Sequence, residues 1–328
     1  MAYNDLISRT DAQALMPEDV QHEIVQSVPN QSVIMQLGRR LPDMSRAQRR
    51  IPVLGSLINA QFVGADTGLK QTGKELWANK FINADELAVI VPIPETVLDD
   101  VDYDIWGEIR PRIVEALGLA VDLAVLFGIG APADWPINLM SGASAAGNLA
   151  SVAAFADIYD ATMGTNGMLG FVEQDGFDIN GHVAALSMKA KLRGLRDANG
   201  QPIFLQSNLT GTGGVGTPGA GIGGGITRYE LDGSPMFFPR NGGFDPSQAL
   251  MFSGDWSQLV WAIRQDITFK LLDQAVLTDN AGDIVFNLPQ QDMVALRAVI
   301  RLGWQLPNPI NRVRPIEGQR FPFGVLTA

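Results

Sequence analysis

The stretch MVALRAVIRLGWQL, residues 293–306, carries the most regular pattern in the chain. Val294, Leu296, Ala298, Ile300, Leu302, Trp304 and Leu306 are apolar, and Arg297, Arg301 and Gln305 stand between them. Strand side chains alternate between faces, so this period of two predicts one uninterrupted strand. It would span roughly 43 Å at ~3.3 Å per residue, against a usual strand of about 5–6 residues. A second long element lies upstream. Ile105, Ile109, Ile113, Leu117, Val121 and Val125 recur at helical spacing and predict a helix over 103–128. Asp102 and Asp104 can cap its first turn, and Gly128 and Gly130 can end it. Pro111 should kink or restart it. Such a helix would extend about 39 Å. Two long elements of matched length predict an elongated α+β subunit.

Outward from these, residues 50–93 read as a long hairpin. Ile51 to Val63 and Phe81 to Ile93 are β-prone, and Leu87, Val89, Val91 and Ile93 alternate on one face. The stretch between them, Gly64 to Lys74, is polar and glycine-bearing. A hairpin of this length cannot bury itself, so it should lie against something else, a neighbouring subunit being the natural candidate. Its tip offers Gly64, Gly68, Lys70, Gly73 and Lys74 as inter-subunit candidates. Residues 1–49 read as an arm, with a short helix over Glu18 to Gln26 and a cluster of Arg39, Arg40, Arg46, Arg49 and Arg50. These arginines are candidates for contact with packaged nucleic acid or an acidic neighbour; a merely solvated basic segment explains them equally well. Residues 133–282 are mixed. Ser151 to Thr162 and Met188 to Ala198 read as helices, 208–225 as a glycine-rich loop, GDWSQLVWAI (254–263) as helix-like and DITFKLL (266–272) as a strand.

Composition narrows the function. The 328 residues carry 24 Lys+Arg against 35 Asp+Glu, a net charge of −11. That balance argues against a protein that seeks nucleic acid through a basic face. Charged residues are 18%, thin cover for the roughly 13,000 Å² that a compact chain of this length exposes, which predicts that much of the surface meets other protein. There is no cysteine, so disulfides, thiolate metal sites and thiol nucleophiles are excluded. The start of the chain has no signal-peptide pattern, and the most apolar stretch, Ile113 to Ala131, is broken by Glu115 and Asp122, so no membrane span is predicted.

Catalytic patterns fail on inspection. Gly211, Gly213 and Gly216 form GxGxxG, but inside a tract so glycine-rich that composition nearly forces the match. Gly68, Gly73 and Lys74 form GxxxxGK, but Glu75 stands where a phosphate loop needs Ser or Thr. Asp100, Asp102 and Asp104 imitate a calcium loop that Ile105 and Pro111 then break. Gly142, Ser144 and Gly147 miss the hydrolase elbow by one residue. The two histidines, His22 and His182, have no partner at ligand spacing, and His182 beside Gly181 reads as a turn or surface residue. No catalytic residue, cofactor or metal site is nominated.

Taken in order, the segments resemble the tailed-phage major capsid proteins of the Hong Kong ninety-seven type fold. LMPEDVQHEIVQ (15–26) is similar to the start of that family's N-terminal arm. RIPVLG (50–55) through LAVIVPIPETVLDD (87–100) is similar to its extended E-loop and return. IRPRIVEALGLAVDLAVLFGIGAP (109–132) resembles its spine helix, and MKAKLRGLRDANGQPIF (188–204) and LDGSPMFF (231–238) resemble parts of its axial domain. GDWSQLVWAIRQDITFKLLDQA (254–275) and QDMVALRAVIRLGWQLPNP (291–309) resemble its last strands. The likeness runs from about Leu15 to Pro309. It implies an N-terminal arm over 1–49, an E-loop over 50–82, a peripheral domain from 83–132 and 283–306, an axial domain over 133–282, and a C-terminal extension over 307–328 whose Arg312, Arg314 and Arg320 touch a neighbour. It further implies a non-enzymatic subunit that self-assembles as hexamers and pentamers into an icosahedral shell around double-stranded DNA held without sequence specificity. The virion capsid would be its location, after assembly in the host cytoplasm and procapsid maturation. A portal, and as an optional addition a decoration protein, are implied as partners. Only fourteen residues precede the likeness, which points to a separate scaffolding protein. An encapsulin-like nanocompartment shell is the alternative within the fold, and an acidic enzyme using only carboxylates is the alternative outside it.

Overall fold

The structure, a computed structural model, describes residues 32–63, 70, 72–100, 104–195, 206–208, 227–279 and 281–328. The expected helix at 18–26, most of the loop at 208–225, His22, Gly64 and Gly68 lie outside them. In chain order the first elements are α1 (Val33–Leu37), β1 (Arg39–Arg40), β2 (Gln48–Ser56), β3 (Leu76–Asn83), β4 (Asp85–Pro94), α2 (Glu95–Asp100) and α3 (Ile105–Phe127). Next come α4 (Leu139–Ala146), β5 (Leu149–Ser151), α5 (Ile158–Met163), α6 (Met168–Gln174), β6 (Gly181–Ala184) and α7 (Leu186–Arg193). Then follow β7 (Gln206–Asn208), β8 (Thr227–Leu231), β9 (Ser234–Phe237), β10 (Met251–Gly254) and β11 (Val260–Leu272). The last are β12 (Val276–Thr278), β13 (Ile284–Asn287), β14 (Met293–Gln305) and β15 (Phe323–Thr327).

The predicted long strand is β14, and its antiparallel partner β11 is equally long at 13 residues. They belong to a four-stranded sheet ordered β1-β11-β14-β4. As the central strand, β14 buries residues on both faces, Ala295 and Val299 as well as Leu296, Ala298, Ile300 and Leu302. The long helix is α3, and Ile113, Leu117, Val121 and Val125 share one apolar cluster with Leu296, Ala298, Ile300 and Leu302. Asp104 caps it by accepting the Gly107 N–H at 3.0 Å. Gly128 ends it at φ 76°, a left-handed turn that glycine adopts without a Cβ penalty. The helix runs through Pro111 without the expected restart.

The second sheet has seven strands in the order β5-β15-β10-β6-β9-β8-β7. Its central strands β6 and β10 are buried at every residue. The two sheets are continuous through the core, since Phe252, Trp256, Phe323 and Val325 belong to the same cluster as α3 and β14.

Several expectations are corrected. GDWSQLVWAI is not helical beyond one 3-10 turn at Trp256–Gln258. The side chain of Asp255 caps that turn, and Val260–Ile263 then pairs with β14 on one edge and β1 on the other, so sheet pairing overrides helical propensity. This also places β11 with β14 rather than with the remainder of 133–282. The Ser151–Thr162 run divides into a strand residue, a 3-10 turn and α5, because Asp157 starts a new helix by accepting the Asp160 N–H. The return strand of the hairpin divides at Ala84: residues 76–83 pair with β2, and 85–94 pair with β14.

Residues 307–328 are not an extension. Strand β15 lies between β5 and β10, with Phe323, Val325 and Leu326 fully buried. Arg320 is 4% exposed and donates to the carbonyls of Asn308, Pro309 and Pro315. Arg314 pairs with buried Asp175, whose other oxygen accepts from the Phe321 N–H and Asn148.

The last part of the expected arm is likewise built into the subunit. Asp122, on the long helix and 1% exposed, accepts four hydrogen bonds: Ser32 Oγ at 2.6 Å, the Val33 and Ile34 N–H groups at 3.2 Å and Asn241 Nδ2 at 2.8 Å. Burial raises its carboxyl pKa, and these donors oppose the rise. Replacing it with alanine strands four donors at a buried joint. Asp122→Ala is expected to cost about 3 kcal/mol of subunit stability, read by urea unfolding.

His182 is wholly buried in β6, not at a turn, because Gly181–Ala184 is a central strand. Its Nε2 lies 3.0 Å from the Leu231 carbonyl and must carry the proton, so Nδ1 accepts the Ser253 hydroxyl at 2.6 Å. Burial lowers its pKa from 6.5 to about 4. The unfolded chain therefore takes up the proton first as pH falls. Stability from this group is complete above pH 6.5 and is lost as pH drops through 4, by about 3 kcal/mol in all. In His182→Gln the pH 7 to pH 4 loss of unfolding free energy should shrink by that amount; an unchanged loss would refute the assignment.

Candidate assembly interface

Strands β2 and β3 form a two-stranded hairpin from Gln48↔Asn83 to Ser56↔Leu76. Its root is tied down. Ile82 is fully buried with Met44, Val260 and Ala262. Gln305 Nε2 donates to the Phe81 carbonyl at 2.7 Å, and Asn83 Nδ2 donates to the Asp134 carbonyl at 3.0 Å. Gly303 lets the hairpin root touch the sheet, because a Cβ there would stand 2.1 Å from the Asn83 carbonyl oxygen. On the other side Lys80 pairs with Glu317, and Arg312 donates to the Ile58 carbonyl at 2.7 Å. Thus Arg312, Arg314 and Arg320 all make contacts within the subunit.

Beyond the root, apart from the Arg312 contact at Ile58, the hairpin exposes its apolar side chains. Phe62 is fully exposed, Trp77 is 71% exposed, and Ile58, Val63, Leu76 and Phe81 are exposed as well. Water contact with that much apolar surface is unfavourable, and a concentrated patch of this kind marks a protein contact. Of the expected tip residues, Lys70, Gly73 and Lys74 are exposed on this hairpin, with Gly73 beside Ile58. The aromatic residues went unnominated in the sequence, although Trp77 in the polar run KELWANK is the signal that could have found them.

The five arginines differ in what they contact. Arg40 pairs with Asp43 at 3.0 Å and stands over the Trp261 ring. Arg49 donates to the Pro42 and Asp43 carbonyls and closes the loop between β1 and β2. Arg39, Arg46 and Arg50 are exposed and have no ion pair among the described residues.

A cavity of about 580 Å³ lies between α1, α3 and β11, walled by Leu117, Val121, Trp261 and Ile263. Among the described residues no three His, Asp or Glu side chains gather as metal ligands, and no helix is long and apolar enough to cross a membrane.

Residues 12–315 match the phage capsid family. The chain belongs to that family. It is 24% identical over 287 residues, 87% of this chain and 79% of the relative, to the major capsid protein of Staphylococcus phage 80alpha. A solved chain from Microbacterium phage Oxtober96 superimposes with a TM-score of 0.80 at 34% identity, covering 98% of this chain and 99% of that one. A chain from Mycobacterium phage Adephagia gives 0.78 at 29% identity, with 98% of each covered. The fold is that of the tailed-phage capsid subunits, and the protein is a major capsid protein. Trp77→Ser should therefore leave the unfolding free energy within about 0.5 kcal/mol, since the ring is exposed, while weakening association by at least about 1 kcal/mol. Urea unfolding and analytical sedimentation would read the two effects.

Proposed function

We propose that copies of this chain assemble as hexamers and pentamers into the icosahedral shell of a tailed phage, around packaged double-stranded DNA. The single observation that carries this is the hairpin: a rigid root and an uncovered apolar length that its own chain does not bury. On this reading β2 and β3 are the E-loop lapping a neighbour. The four-stranded sheet with α3 is the peripheral domain, and the seven-stranded sheet with its helices is the axial domain. The net charge of −11 suits a wall that holds DNA loosely, with no sequence readout and no catalytic step. The subunit joins the virion after assembly in the host cytoplasm, with a portal as a partner.

Electron microscopy of the purified protein tests the reading: closed angular shells are expected, and small discrete oligomers would count against it. Deleting Asp66 to Glu75 should leave a subunit with unchanged circular dichroism and a loss of shells of about ten-fold or more. Normal shells from the deletion would remove the hairpin from assembly.

A further inference from the structure

The cavity of about 580 Å³ beside the long helix is a slot. Along α3 it extends from Val114 to Val121, a length of about 10 Å. Gly118 stands midway and brings no side chain into it. Met35 of α1, Trp261, Ile263 and Ile267 of β11, and Ile300 and Leu302 of β14 complete its wall. The volume falls within the range of about 300–1,000 Å³ common to small-molecule sites. Protein interiors are otherwise close-packed, so an apolar space of this size against buried Leu117, Val121 and Trp261 is unusual. Water there finds few polar partners, and an alkyl chain displaces it favourably.

Polar groups stand at two places on the rim. Gln36 and Arg40, both exposed, follow from α1. The Arg40 guanidinium lies 5.6 Å from the centroid of the Trp261 ring, and its Nη2 pairs with Asp43 at 3.0 Å. Its Nε and Nη1 have no partner among the described residues. Asp266, also exposed, belongs to β11, and its Oδ1 accepts the Ile267 N–H at 2.8 Å. Stacking on Trp261 therefore holds the cation at the wall of the slot, while the carboxylate is turned onto its own strand. A carboxylate head suits this rim better than an ammonium.

We infer that the slot binds a linear alkyl carboxylate of medium chain length, with the chain along α3 and the head at Arg40. The inference does not rest on the capsid reading. Because α1, α3, β11 and β14 all contribute to the wall, the bound chain ties the segment before β1 to the helix and the sheet. Binding to the folded subunit alone raises its stability.

Calorimetric titration of the full-length subunit with octanoate, nonanoate and decanoate, each below its micelle-forming concentration, tests it. One molecule per chain is expected, with affinity rising about four-fold for each added methylene. Ile267→Trp, which fills the slot, should weaken decanoate about ten-fold or more with unchanged circular dichroism. Arg40→Gln should weaken decanoate about three-fold and leave decanol unchanged. Being at an exposed side chain, Arg40→Gln decides the matter should Ile267→Trp not fold. Trp77→Ser should leave every affinity unchanged, since the hairpin is a separate exposed apolar surface. Absence of saturable binding would overturn the inference. So would decanoate binding that survives Ile267→Trp in a folded subunit, or that is lost with Trp77. Decyltrimethylammonium binding as tightly as decanoate, or full decanoate affinity in Arg40→Gln, would overturn the carboxylate assignment.

Discussion

The ladder between β11 and β14 fixes the position of almost every other part of the subunit. Each strand contributes 13 residues, and β4 extends the sheet on the far side of β14 from Pro94 to Asp85. A strand bonded along both edges resists bending, and α3 lies against it through one apolar cluster. The hairpin leaves the sheet where β14 stops at Gln305, whose side chain holds the Phe81 carbonyl.

Chain segments remote in sequence are bolted to this frame by buried carboxylates. Asp122 gathers Ser32, Val33, Ile34 and Asn241 onto the long helix, and Asp175 gathers Asn148, Arg314 and Phe321 onto the end of α6. A buried carboxylate costs desolvation and is tolerable only when donors surround it. Its benefit is specificity, since apolar packing alone would let the segments slide. The effect is to hold fixed the segment that precedes β1 and the strand β15 of the seven-stranded sheet.

How much of this was legible in the sequence depends on how local each signal is. The long strand and helix announced themselves through Val294–Leu306 and Ile105–Val125, because an alternation of this length has one interpretation. Asp104 and Gly128 marked the helix ends for the same local reason. The division at Ala84 did not show, since Phe81 and Leu87 are equally β-prone and only the partner strands differ. Val260–Ile263 read as helix because a strand buried on both faces loses its period of two. His182 and the C-terminal Phe323–Leu326 were misplaced because their neighbours come from strands more than 50 residues away. The hairpin strands showed in the β-prone runs, but the exposure of Trp77 and Phe62 did not, because it depends on what the rest of the chain leaves uncovered.

The low proportion of charged residues gains meaning from where the charges sit. A surface as apolar as this hairpin would invite indiscriminate sticking in a neutral chain. The net charge of −11 opposes that sticking by repulsion between copies. On the capsid reading the energy per contact need not be large: exposed apolar side chains such as Phe62 and Trp77 give a contact that can dissociate while a shell is still incomplete. Repeated around a closed ring, the same contact is made many times over, and a subunit held on several sides is released only when all of them open together.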